Sequence, residues 1–169
     1  MSSLLLFFES EVKYLISILK KLTRDEISAL MNLSNDLTNL NFDRYQTLGT
    51  ESSKCLQALL AFDGQVFNCI KVNEFDESDF EFANAHLRIL SGLYGVLKPL
   101  DMIQSYRLEM KAKLKNEQGN DLYKFWKEKI TDYVYNELNN QENKTLLNLS
   151  SNEYSKAINL KNYLKIFKL

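Results

Sequence analysis

Two hydrophobic periods alternate along this chain, and that alternation limits the available folds more than any other feature. Val12, Leu15, Ile16, Leu19 and Leu22 recur at helical spacing over residues 9–22, which makes one apolar stripe on a helix. Residues 121–138 repeat the device, with Leu122, Trp126, Tyr133 and Val134 turned inward. Short runs of strand character stand among the helices: residues 65–70, with Val66, Asn68 and Ile70 on one face, then residues 93–97, 103–110 and 145–149. Strands set between helices predict a mixed α/β class, one mixed sheet with helices around it. Neither an internal repeat nor a linker breaks residues 1–169, so they read as a single domain.

Several helix ends are written in side-chain chemistry. Thr23-Arg24-Asp25-Glu26 predicts a capping box: the Thr23 hydroxyl accepts from the amide three residues on while Glu26 reaches back. Ile27, Leu30 and Met31 supply the buried face of that helix, and Ser34 or Asn35 caps the next one, through Leu37 and Leu40. Residues 23–40 therefore read as a helical hairpin about a tight turn. Residues 41–54 have no period and read as a loop, and 55–62 as a short helix ended near Gly64. Ser78-Asp79-Phe80-Glu81 predicts a second capping box, with Phe80, Ala83, Leu87 and Leu90 as its core face and Ser91-Gly92 as its end. Residues 111–120 read as a turn or loop and 151–158 as a short helix.

Composition closes off other classes. Hydrophobic residues make up 45% and charged residues 25%, a globular balance with no low-complexity segment. No apolar run approaches the roughly 20 residues of a membrane-spanning helix. The apolar run at residues 4–8 is stopped by Glu9 without a basic flank or cleavage site, so the expectation is a soluble, cytoplasmic protein without a signal peptide. Cys55 and Cys69 form neither a disulfide framework nor a CxxC pair, which fits a reducing compartment. With His86 the one histidine, no metal site and no cofactor is expected.

Net charge is −1, so a polyanion partner requires a local basic patch. Residues 98–115 supply one: Lys98, Arg107, Lys111, Lys113 and Lys115 against Asp101 and Glu109, a local +3. Lys111, Lys113 and Lys115 alternate, so an extended backbone puts them on one face. Arg88, Gly92 and Gly95 lie just upstream, where glycine turns can expose amides beside cations, the chemistry that holds phosphate. No Walker loop or GxSxG is present, which argues against an NTPase or a serine hydrolase. Glu109 and Glu153 are the weak candidates for acid–base catalysis, 44 residues apart with nothing in the sequence to join them.

The run His86-Leu-Arg-Ile-Leu-Ser-Gly-Leu-Tyr-Gly-Val-Leu-Lys-Pro-Leu-Asp101 resembles the signature of the YaaA family of peroxide stress proteins. The resemblance continues through Tyr106-Arg-Leu-Glu-Met110, Asp121-Leu-Tyr-Lys-Phe-Trp126 and Asn148-Leu-Ser-Ser-Asn-Glu-Tyr154. It implies a cytosolic protein of hydrogen peroxide defence that limits iron-driven damage and binds DNA through a basic cleft and a helix-hairpin-helix element. The hairpin at residues 23–40 and the turn at 91–95 are the two candidates for that element. The family's opening strand and its later strands and helices have no counterpart here, so the resemblance implies a domain incomplete at both ends. Lys98 stands where the family has Arg, and Ser105 where it has Pro.

The expected function is thus non-sequence-specific DNA binding, to structured or bulged duplex, through Arg88, Gly92, Gly95, Lys98, Arg107, Lys111 and Lys113. The rivals are an enzyme acting on damaged nucleic acid or a small molecule through Glu109 or Glu153, and a remnant without function.

Overall fold

A computed structural model of the chain describes residues 6–159 and 166–168. The apolar run expected at residues 4–8 lies partly outside them. The chain is mixed α/β, as its alternating periods predict, and divides into two compact units, Met1–Arg107 and Leu108–Leu169. Among the described residues the strands form three two-stranded ladders, two antiparallel and one parallel, rather than one mixed sheet.

The first unit opens with α1 (Glu9–Leu19), whose buried residues Val12, Leu15 and Leu19 are the expected stripe. Next, α2 (Arg24–Met31) carries the capping box as predicted: Thr23 Oγ1 accepts from Glu26 N–H at 3.3 Å, and Thr23 N–H donates to Glu26 Oε2 at 2.7 Å. Asn32 ends α2 in the left-handed region at φ 51°, a conformation Asn tolerates through its short polar side chain. Ser34 caps α3 (Asn35–Thr47), so a helical hairpin forms where expected.

On α3 the expectation fails in two ways. The helix continues to Thr47 through residues read as loop, and Leu37 and Leu40 face solvent. Its inward face is Thr38, Asn41 and Tyr45, followed by the buried Leu48. That face is half polar, so it leaves no hydrophobic period to read. Thr38 Oγ1 and Asn41 Oδ1 are buried without a hydrogen-bond partner among the described residues.

Three short segments also differ from expectation. Residues 55–57 form β1 (Cys55–Gln57) rather than helix, because β4 (Met102–Gln104) pairs with them in antiparallel register, Cys55 opposite Gln104. Only α4 (Ala58–Ala61) is helical in that stretch. The strand expected at 65–70 is α5 (Gln65–Asn68); Val66 is exposed and Phe67 stacks on Phe62 with ring centroids 5.1 Å apart. Four to six apolar residues without a buried partner strand do not decide between the two periods.

A 3-10 turn at Val72–Glu74 precedes α6 (Glu77–His86). Its capping box is built on Asp76 and Asp79 rather than on Ser78, with Asp79 N–H donating to Asp76 Oδ1 at 3.0 Å. The helix stops at His86, earlier than expected, because Ile89–Ser91 is drawn off as β2 to pair with β3 (Gly95–Leu97). Phe80, Ala83, Leu87 and Leu90 are half-buried rather than core. The strand expected at 103–110 pairs only as β4; residues 105–109 are in no helix or strand, and Met110 lies in a turn.

The second unit is organised by α7 (Leu122–Asn139), capped by Asp121 Oδ1 accepting from Lys124 N–H at 2.8 Å. Leu122, Trp126, Tyr133 and Val134 are buried as predicted, together with Phe125 and Ile130. Ahead of it, residues 108–115 alternate strictly: Leu108, Met110, Ala112 and Leu114 are buried while Lys111, Lys113 and Lys115 are exposed. After α7 come β5 (Leu146–Asn148), α8 (Asn152–Ser155) and β6 (Ile166–Lys168), with β5 and β6 parallel.

Candidate nucleic-acid interface

In the first unit, the residues of the long signature run are committed largely to building the backbone. Arg88 is half-buried, and its Nη1 donates to the carbonyls of Asn84 (3.0 Å), Ala85 (3.3 Å) and Leu87 (2.7 Å). Those are the open acceptors at the end of α6, so the guanidinium serves as that helix's C-terminal cap. Gly92 and Gly95 are buried in the turn between β2 and β3, where Gly95 has φ +74°. Ser91, itself buried, anchors that turn: Leu93 N–H and Tyr94 N–H donate to its Oγ at 3.2 and 2.8 Å, and the Tyr106 hydroxyl lies 2.6 Å from the same oxygen. Amides that could have cradled a phosphate are thus occupied by a serine side chain.

Tyr94 extends this polar seam. Gln104 N–H donates to its hydroxyl at 3.1 Å, and burial pushes the phenol up to about 12. Lys98 begins the turn that Asp101 closes, donating its N–H to Asp101 Oδ2 at 2.8 Å. Burial raises the Asp101 carboxyl above its ordinary value of 3.8, against the lowering effect of that amide and of the Lys98 and Arg88 charges. Arg107 is exposed at the unit's end, and its carbonyl accepts from the buried Tyr45 hydroxyl.

The second unit holds the exposed cations. Lys111, Lys113 and Lys115 are all exposed, Lys111 in the turn that Ala112 N–H closes on the Glu109 carbonyl at 3.0 Å and the other two just beyond it. They are not equivalent. Lys111 Nζ lies 3.0 Å from Glu109 Oε2 and 3.5 Å from Glu153 Oε2, and both carboxylates raise its affinity for the proton, Glu109 first. The other oxygen of Glu153 accepts Lys111 N–H at 3.3 Å. Tyr123 donates its hydroxyl to the Glu153 carbonyl at 2.9 Å, and Tyr154 beside the pair is pushed up to about 12, by burial before charge. Among the described residues, no ion pair engages Lys113 or Lys115.

The structure therefore joins Glu109 and Glu153, which the sequence left apart, through a lysine that had been assigned to phosphate. Three of the signature motifs meet there: Glu109 comes from Tyr106–Met110, Tyr123 from Asp121–Trp126, and Glu153 and Tyr154 from Asn148–Tyr154. Among the described residues, no group of three or more His, Cys, Asp or Glu side chains could hold a metal ion, and no helix is long and apolar enough to cross a membrane.

Known proteins extend the motif resemblance to the whole chain. It is 43% identical over 151 residues to a "UPF0246 protein" of Crocosphaera subtropica, covering 89% of this chain and 60% of that relative. It is 47% identical over 146 residues to a "UPF0246 protein" of Saccharophagus degradans, covering 85% of this chain and 57% of that relative. The chain thus spans somewhat under two thirds of the length of these curated relatives. The sequence profile described as peroxide stress protein YaaA matches residues 4–168. With that match spanning nearly every residue, the chain belongs to the peroxide stress protein YaaA family.

Proposed function

We propose that this chain binds DNA without base readout, through phosphate contacts, as part of a peroxide stress response that limits hydrogen peroxide and iron-driven damage. The observation that carries the reading is the exposed row on residues 111–115. Lys113 and Lys115 project to solvent over buried Ala112 and Leu114, with no acidic partner among the described residues. Exposed cations on a packed segment contact a phosphate backbone but carry no sequence information. Arg107, exposed at the end of the first unit, is a further contact in this reading. Within the first unit, Arg88 serves as a helix cap, Gly92 and Gly95 as the turn and Lys98 as the start of the turn that Asp101 closes. The α2–α3 hairpin is the candidate helix-hairpin-helix element, since its turn is exposed at Asn32 and Ser34 whereas residues 91–95 are buried.

The test is fluorescence anisotropy of the full chain with a bulged and a plain duplex across 50–200 mM salt. Replacing Lys113 and Lys115 by Ala removes two phosphate contacts, so the slope of log K against log salt becomes shallower by about 1.8. An unchanged slope refutes the assignment. A preference for the bulged duplex supports recognition of shape.

The convergence of Glu109 and Glu153 favours one second reading, acid–base catalysis on a damaged nucleic acid. Turnover of a nicked or damaged-base duplex that is lost in Glu109→Gln supports it; absence of turnover by the folded chain rules it out for those substrates.

A further inference from the structure

We infer that Glu109 and Glu153 form a built-in counter-anion that withholds Lys111 from DNA, so the phosphate backbone engages Lys113 and Lys115 and is turned away at Lys111. The inference rests on the DNA-binding reading above and specifies the regulation of that surface.

The geometry is asymmetric in a way that matters. The Lys111 side chain is 63% exposed, whereas those of Glu109 and Glu153 are 26% and 23% exposed. The ammonium can leave; the carboxylates are held. Glu153 grips both the ammonium and the backbone N–H of Lys111, so its position is set by the main chain and not only by the salt bridge. Tyr123 fixes the Glu153 backbone from the other side. One ammonium faces two carboxylates. A phosphate arriving there competes with both of them for Lys111. Drawing Lys111 away gives up both carboxylate contacts and leaves the two less exposed carboxylates facing the phosphate. Nothing comparable restrains Lys113 or Lys115 among the described residues.

Glu109 and Glu153 lie in separate signature motifs and converge on the same lysine.

The test uses the full chain and the same fluorescent duplex over 50–200 mM salt. Glu109→Gln with Glu153→Gln keeps the shapes and the acceptor for Lys111 N–H but frees the ammonium. Binding tightens, and the salt slope steepens by about 0.9, one added phosphate contact, so the loss of affinity over that salt range grows about 3.5-fold. Adding Lys111→Ala to the double variant returns the slope to that of the parent. An unchanged slope in the double variant, with the fold verified by circular dichroism, overturns the inference. Should the double variant fail to fold, Glu109→Gln alone serves, with a smaller steepening expected and an unchanged slope again refuting it. Failure of the underlying DNA reading looks different: parent binding would then be insensitive to Lys113→Ala with Lys115→Ala.

Discussion

Ser91→Ala removes a single oxygen, yet that oxygen is the hub of the turn at the centre of the family signature. Ser91 and Leu93 are 0% exposed and Tyr94 is 4% exposed, so water cannot replace what is lost. The substitution leaves Leu93 N–H and Tyr94 N–H without their acceptor and removes the oxygen 2.6 Å from the Tyr106 hydroxyl. A buried donor left unsatisfied costs about 1–3 kcal/mol. Two amides and a phenol together put the expected loss at about 3–5 kcal/mol, a large share of the 5–15 kcal/mol that holds a typical domain. For a chain of this length that corresponds to a melting temperature lower by roughly 10 °C. Tyr106→Phe loses only the phenol end and is expected to cost about 1 kcal/mol. Urea titration and differential scanning calorimetry of parent and variants measure both. If Ser91→Ala falls within about 0.5 kcal/mol of the parent, the turn amides are not held as described, and they return as candidates for phosphate binding.

Thr38→Val should stabilise the chain by about 1 kcal/mol in urea titration, because it exchanges an unpaired buried hydroxyl for a methyl of the same shape. Thr23→Ala should cost about 1 kcal/mol by removing the acceptor for Glu26 N–H at the start of α2, measured in the same way. Asp101 has its folded-state pKa raised above 3.8, so its ionisation opposes folding at neutral pH. That opposition is relieved as pH falls through the raised value and is gone below 3.8. The stability of the parent relative to Asp101→Asn should therefore improve over that acid range, read from urea midpoints at successive pH values.

What could be read in advance depended on whether the deciding interaction was local. The cap at Thr23 and the face of α7 are spelled within a few residues of themselves, and both formed as predicted. Residues 111–120, read as a turn or loop, do turn at Met110 and Lys111, and Ala112 and Leu114 are buried between exposed lysines. By contrast, α3 hides its inward face in Thr38 and Asn41, residues that carry no apolar signal. Residues 55–57 become strand only because residues 102–104 arrive beside them. The role of Arg88 depended on where α6 ends, and that end was set by the demand of β2 for a partner. Glu109 and Glu153 could be named as chemistry-bearing residues but not joined, since the contact that joins them spans 42 residues from Lys111 to Glu153.

The account stands most directly on lysine reactivity, read residue by residue by mass spectrometry after brief acetylation of the full chain, free and bound to duplex DNA at low salt. The expected result is strong protection at Lys113 and Lys115 and little change at Lys111, whose ammonium is already held by two carboxylates. Protection concentrated at other lysines, with Lys113 and Lys115 as reactive in the complex as in the free chain, would contradict it.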